Sequence, residues 1–143
     1  MRPRITALGL GAVAVLALAA TPVAANGAQP VAITLDVDFV GGTETFTADG
    51  GFCPVGTAET VDNVRTGGPT GVFHVSKVFT CANGSTLAID LDAVFQNKRN
   101  GTVGGWRVIG GTGDYAGASG GGQINGAGTP TGIIDTYTGV IVR

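Results

Sequence analysis

The side chains in this sequence that could do chemistry are few, and their spacing excludes most familiar arrangements. Glu59, His74 and Tyr137 are the groups best placed to handle protons, and His74 is the single histidine. Gly111-Thr112-Gly113-Asp114-Tyr115-Ala116 has the G-x-G-x-x-A form of a dinucleotide fingerprint and follows a strand-like run. That fingerprint needs a helix next, because the helix N-terminus holds the pyrophosphate. Gly117, Gly120, Gly121 and Gly122 follow instead, and glycine is a poor helix former, so nucleotide binding is not expected.

Gly117-Ala118-Ser119-Gly120-Gly121 matches the G-x-S-x-G nucleophile elbow, which requires a strand-to-helix turn in an α/β sheet. No such sheet is readable here, and His74 precedes Ser119, the wrong order for that fold; Ser119 reads as a small turn residue. One histidine and two cysteines cannot supply a three- or four-ligand zinc site. The pairs Asp36/Asp38 and Asp90/Asp92 lie at strand spacing opposite apolar residues, the pattern of a wet outer face rather than a calcium site. Neither a metal nor a cofactor is expected.

The elements that position these residues begin with an N-terminal targeting pattern. Arg2 and Arg4 precede an uncharged apolar run from Ile5 to Ala20, and Thr21-Pro22 then Val23-Ala24-Ala25 supply a helix stop and small cleavage-site residues. Residues 1–25 are therefore expected to be a bacterial-looking signal peptide, 26–30 a linker and 31–143 one domain of a secreted, extracellular protein. An uncleaved anchor helix is the alternative; after cleavage no membrane association is expected. Beyond residue 25 all ten acidic and six of the eight basic residues remain, a formal balance of −4. The cations are scattered apart from Lys98-Arg99, so no nucleic-acid partner is expected. Cys53 and Cys81 would enter an oxidising compartment and are expected to pair; free thiols or metal ligands are the alternatives.

Strand-like alternation runs from Ile33 to Phe39, and Thr43 to Ala48 reads as its return after Gly41-Gly42. Thr57 to Arg65 is a weaker strand, Val72 to Cys81 a strong one, and Leu87 to Phe95 the clearest, entered through the Asn83-Gly84 hairpin signal. Asn83-Gly84-Ser85 and Asn100-Gly101-Thr102 fit the glycosylation sequon and equally fit turns. Thr102 to Ile109 and Gly132 to Val142 complete the set, with a glycine-rich stretch between them. No window beyond the leader has helical spacing, so the domain is expected to be all-β: seven or eight strands in a closed barrel or sandwich, with tight turns favouring an antiparallel meander.

Val108-Ile109-Gly110-Gly111-Thr112-Gly113-Asp114-Tyr115-Ala116-Gly117 resembles the V-x-G-G-T-G-x-aromatic signature of allene oxide cyclases and dirigent proteins, and Asp135 to Val142 looks like the closing strand of such a barrel. Trp106, Gly110, Gly111, Gly113, Tyr115 and Gly117 carry the signature. The resemblance implies an eight-stranded antiparallel barrel of calycin-like form, often homotrimeric; the better-known members guide reactive lipophilic intermediates through cyclisation or coupling, whereas the secreted actinobacterial-type members that this chain looks like have no established activity. This chain departs from the dirigent pattern at Ala118-Ser119-Gly120, where Ser119 stands in place of the family's arginine, and it has no counterpart of the acidic residues assigned to dirigent catalysis.

Three functions follow as expectations. In the first, the lumen binds a small apolar molecule, with Arg107, Asp135 and Tyr137 as polar groups on otherwise apolar faces: Arg107 beside Val103 and Ile109, Asp135 and Tyr137 beside Ile133 and Ile141. In the second, a cyclase- or dirigent-like enzyme works mainly by shape, with Glu59, His74 and Tyr137 as its proton-handling candidates. In the third, the barrel is a structural module of the cell envelope, making contacts through Ile134, Val140 and Val142.

Overall fold

Eight strands, each hydrogen-bonded to the next, close on themselves in a computed structural model that describes residues 27–143. They are β1 (Ala28–Asp38), β2 (Thr43–Gly50), β3 (Val55–Thr66), β4 (Val72–Cys81), β5 (Thr86–Gln96), β6 (Gly101–Thr112), β7 (Ser119–Gly128) and β8 (Gly132–Val142). Every pairing is antiparallel and β8 returns to β1, so the all-β expectation resolves to a closed eight-stranded meander barrel. The expected signal peptide lies outside the described residues. β1 begins within the stretch read as a linker, because Ala28, Gln29 and Pro30 pair with Val142, Ile141 and Val140.

Alternation decides what fills the lumen. Val31, Ile33, Leu35 and Val37 of β1 and Leu87, Ile89, Leu91 and Ala93 of β5 turn inward and are buried with Phe46, Phe79, Ile124 and Ile141. Asp36 and Asp92 stand on the exposed outer wall. β7 has no such alternation in SGGGQINGAG; the ladders of β6 and β8 on either side order it.

The two barrel ends differ. At one, the β2–β3 connection, the Asn83-Gly84 turn and residues 113–118 lie together. Phe52 covers the lumen there, its ring centroid 5.3 Å from Phe46 and 4.8 Å from Tyr115, with Phe79 edge-on. The Cys53–Cys81 disulfide fastens this loop to the end of β4, and Arg143 lies over Tyr115. Gly113 and Gly117 take positive φ, which lets the chain turn and bring Tyr115 back onto the barrel. The other end, the mouth, is framed by residues 39–42, 67–71, 97–100 and 129–131.

Two local features shape the wall. Trp106 points inward and its Nε1 donates to the Thr138 carbonyl on β8 at 3.3 Å, so the indole crosses over Gly122 of β7. A Cβ at Gly122 would lie 1.9 Å from that same carbonyl oxygen. The second feature is a seam: β2 and β3 pair only through Thr45–Thr47 and Val55–Thr57, whereas β1 and β8 pair along all 11 residues of β1. Gly122→Ala is expected to force β7 from β8 by overlap of the new methyl with the Thr138 carbonyl, at a cost of about 3 kcal/mol, the upper end for overpacking. Urea denaturation followed by Trp106 fluorescence measures it.

Candidate functional site

Where the β2–β3 ladder stops, side chains continue the wall. Glu44 on β2 accepts from the Thr60 backbone N–H at 3.2 Å and from the Thr60 hydroxyl at 2.7 Å, both through Oε1. Lys77, inward on β4, donates to Glu44 Oε2 and to Thr60 Oγ1, each at 2.6 Å. Lys77 is only 5% exposed, so it is a buried ammonium held by a carboxylate and a hydroxyl, the condition under which a buried charge is tolerated. The pair also tunes Glu44: burial raises its pKa, but the hydrogen bonds from Lys77 and Thr60 outweigh burial and hold it below the usual carboxylate range.

Asp135 and Tyr137 of β8 face the same interior. Asp135 is 6% exposed and Tyr137 is 0% exposed, yet Asp135 Oδ1 and the Tyr137 hydroxyl have no hydrogen-bond partner among the described residues. Burial pushes the Asp135 carboxyl up to about 6, with Lys77 opposing and the Glu44 charge adding to the rise. The Tyr137 phenol is raised well above its ordinary value by burial and by the charges of Asp135 and Glu44. Tyr137 packs edge-on against Phe79 and Trp106, which fixes its ring against the aromatic plug. Between plug and mouth lies one polar layer: Glu44, Thr60, Lys77, Asp135 and the Tyr137 hydroxyl.

On the mouth side of this layer the inward side chains are less well covered. Phe73, Val75, Thr102 and Ile133 are half-buried, and Phe95 at the rim is exposed. The lumen is thus a cup, filled at the plug and looser toward the mouth. The Gly126 backbone approaches Asp135 closely: a Cβ there would come 2.5 Å from Asp135 Oδ1 and 2.3 Å from Thr102 Oγ1.

Of the residues singled out in the sequence, Asp135 and Tyr137 come together inside. Arg107 does not face the lumen: Trp106 takes the inward position, leaving Arg107 and Ile109 on the exposed wall, where Arg107 bonds Asp90 at 2.9 Å. His74 is also outside, its Nδ1 2.5 Å from Asp92 Oδ1, and Glu59 is exposed on the outer face between inward Ala58 and Thr60. Trp106 and Tyr115 are buried, and Gly110, Gly111, Gly113 and Gly117 form the end of β6 and the turn after it. Sequence reading missed Glu44, Thr60 and Lys77. Strand parity carried the signal, since Glu44 alternates in phase with Phe46, and Lys77 with Val75 and Phe79.

Comparison with protein-family models, with curated proteins and with solved structures finds no match for this chain.

The two acids of this layer are expected to act oppositely on stability. Asp135, with its pKa raised, contributes stability below about pH 4 that is lost as pH rises through about 6, on the order of 3 kcal/mol. Asp135→Asn is therefore expected to be the more stable protein at pH 8 and to lose that advantage at pH 4. Glu44, with its pKa lowered, contributes stability at neutral pH that disappears as pH falls through its folded value. Glu44→Gln is expected to cost about 3–5 kcal/mol at pH 7 by stranding the Lys77 ammonium. Chemical denaturation across pH separates the two.

Proposed function

We propose that this is a secreted barrel that binds a small, mainly apolar molecule in its lumen, entering through the mouth and placing one polar group against Asp135 and Tyr137. The observation that carries the reading is the pair of unpartnered buried polar atoms, Asp135 Oδ1 and the Tyr137 hydroxyl, at the base of a half-covered apolar wall. Leaving such groups without a partner costs about 1–3 kcal/mol each, and a ligand that bonds them recovers it. Apolar walls with a few convergent polar groups are the usual construction of small-molecule sites. The closed antiparallel barrel and the disulfide are what a secreted member of the allene oxide cyclase and dirigent-like barrels would have.

A second reading, cyclase- or dirigent-like catalysis on a reactive lipophilic intermediate, is favoured by one feature. The Asp135 carboxyl, raised to about 6, is a proton donor at mildly acidic pH in a site that excludes water. On that reading turnover of a cyclisable substrate falls as pH rises through about 6 and is lost in Asp135→Asn. Subunit contacts, up to the trimer the resemblance implies, would use the outer face of β8, where Val140 is exposed beside half-buried Ile134 and Val142.

The test of lumen binding uses the neutral fluorescent probe N-phenyl-1-naphthylamine, titrated into the protein. Saturable emission is expected for the wild type and is expected to be lost in Thr102→Trp, which fills the cup below the mouth. Tyr137→Phe is expected to weaken binding of a carbonyl-bearing competitor by about fivefold to tenfold while leaving the free protein equally or more stable, because it removes an unpaired hydroxyl. Non-saturable emission, or saturable emission untouched by a folded Thr102→Trp, would defeat the reading.

A further inference from the structure

The mouth carries exposed side chains that neither the lumen nor the wall uses. Phe39 and Val40, 71% and 80% exposed, stand side by side at the tip of the β1–β2 hairpin. Lys98 and Arg99 occupy the β5–β6 tip, and Arg65 lies over the Phe73 ring at 5.2 Å while donating to the Pro69 carbonyl. Lys77 and Arg107 have carboxylate partners; Arg65, Lys98 and Arg99 have none among the described residues. The four mouth loops contain no acidic residue. Asp38, at the adjoining strand end, is turned to the Val40 N–H at 2.9 Å. At the plugged end the loops hold Asp114, Asp49 lies close by, and the one cation among the described residues is Arg143, which lies over the Tyr115 ring and donates to Gln29.

These loops form one rim. The Phe39 N–H bonds the Thr131 carbonyl at 2.9 Å, tying the β1–β2 and β7–β8 connections, and the Gly128 N–H bonds the Asn100 carbonyl at 2.8 Å, tying the latter to β5–β6. A recess of about 590 Å³ between Arg65, Phe73, Phe95 and Asn97 joins β5–β6 to β3–β4.

We infer, against the expectation from the sequence that the cleaved chain has no membrane association, that the mouth is a docking face for an anionic lipid surface, with Phe39 and Val40 entering the acyl boundary and Arg65, Lys98 and Arg99 meeting lipid phosphates. Charge complementarity selects the occupant. Three unpaired cations without an intervening acid would gain nothing on a neutral surface, and an adjacent Phe-Val pair projecting beyond the rim has no use on a nucleic acid. Apolar side chains ringed by long cationic ones are the composition that seats a protein in a lipid headgroup layer. The orientation follows, because cations and apolar tip occupy the same end: the barrel stands with its open end on the lipid. None of these residues belongs to the polar layer, so the inference stands whether or not the lumen holds a ligand.

Co-sedimentation of residues 27–143 with vesicles tests it; the barrel closes within these residues, and the apolar run at 5–20 cannot contribute. Vesicles of phosphatidylcholine alone are compared with vesicles carrying about one-third phosphatidylglycerol, at low and high salt. Partition is expected on the anionic vesicles only, and is expected to fall with salt. Replacing Lys98 and Arg99 by Ala is expected to lower it by roughly 25-fold, about fivefold per cation. Phe39→Ser with Val40→Ser is expected to reduce the partition that survives in high salt. Arg107→Glu, on the outer wall, is expected to change nothing, and near-ultraviolet circular dichroism shows that each variant is folded. Equal partition on both vesicle types, no partition, an equal loss in Arg107→Glu, or capture of a soluble short-chain phosphatidylglycerol without binding to vesicles would each overturn the inference.

Discussion

The Glu44 carboxylate holds together both the wall and the interior of this barrel. The β2–β3 ladder is too short to close the cylinder toward the mouth, and the carboxylate replaces the missing backbone bonds by accepting from the Thr60 N–H and hydroxyl. The same group neutralises the Lys77 ammonium, which could not otherwise lie inside. A buried ion pair gives back in attraction much of what desolvation costs, and little more, unless its remaining hydrogen-bonding positions are also filled. Here Thr60 gives Glu44 two further bonds and Lys77 one. Burial is what raises the Asp135 carboxyl, and the pair that closes the wall acts on it in both directions, Lys77 lowering it and Glu44 raising it.

The two ends of the barrel axis differ in what they hold. The plugged end concentrates the aromatic stacking, the disulfide and the signature turn, all devices that fix geometry. The mouth concentrates the exposed aromatic and cationic residues and the half-covered wall. Between them the polar layer is rigid on the β2–β4 side, where every polar atom named is bonded, and unpaired on the β8 side. The two unpaired groups of β8 therefore face a frame whose β2–β4 side is already fixed by its own hydrogen bonds.

How far this was legible in the sequence depends on whether side chains carried the period. β5 was plain because Leu87, Ile89, Leu91 and Ala93 alternate with polar or small residues, and the face shared by Ile133, Asp135, Tyr137 and Ile141 was readable in the same way. β7 was not, since a strand made largely of glycine has no pattern of its own and takes its order from its neighbours. Arg107 shares its parity with Val103 and Ile109, which suggests an inward face, but Trp106, larger and opposite Gly122 of the glycine-rich β7, takes the interior instead. Glu44 and Lys77 were passed over although each alternates in phase with buried aromatics, because partners that lie 33 residues apart become visible only once β2 and β4 lie across the seam.

The pairing of the first and last strands along the full length of β1 governs the order in which the barrel can form. Every other ladder joins neighbours in sequence and can form as a local hairpin, with the Asn83-Gly84 turn placed to start one early. The β1–β8 ladder needs the whole domain first. Until residues 132–142 join it, β1 lacks one of its two partners, so closing the cylinder is a non-local step of the kind that makes β-rich domains slow to fold.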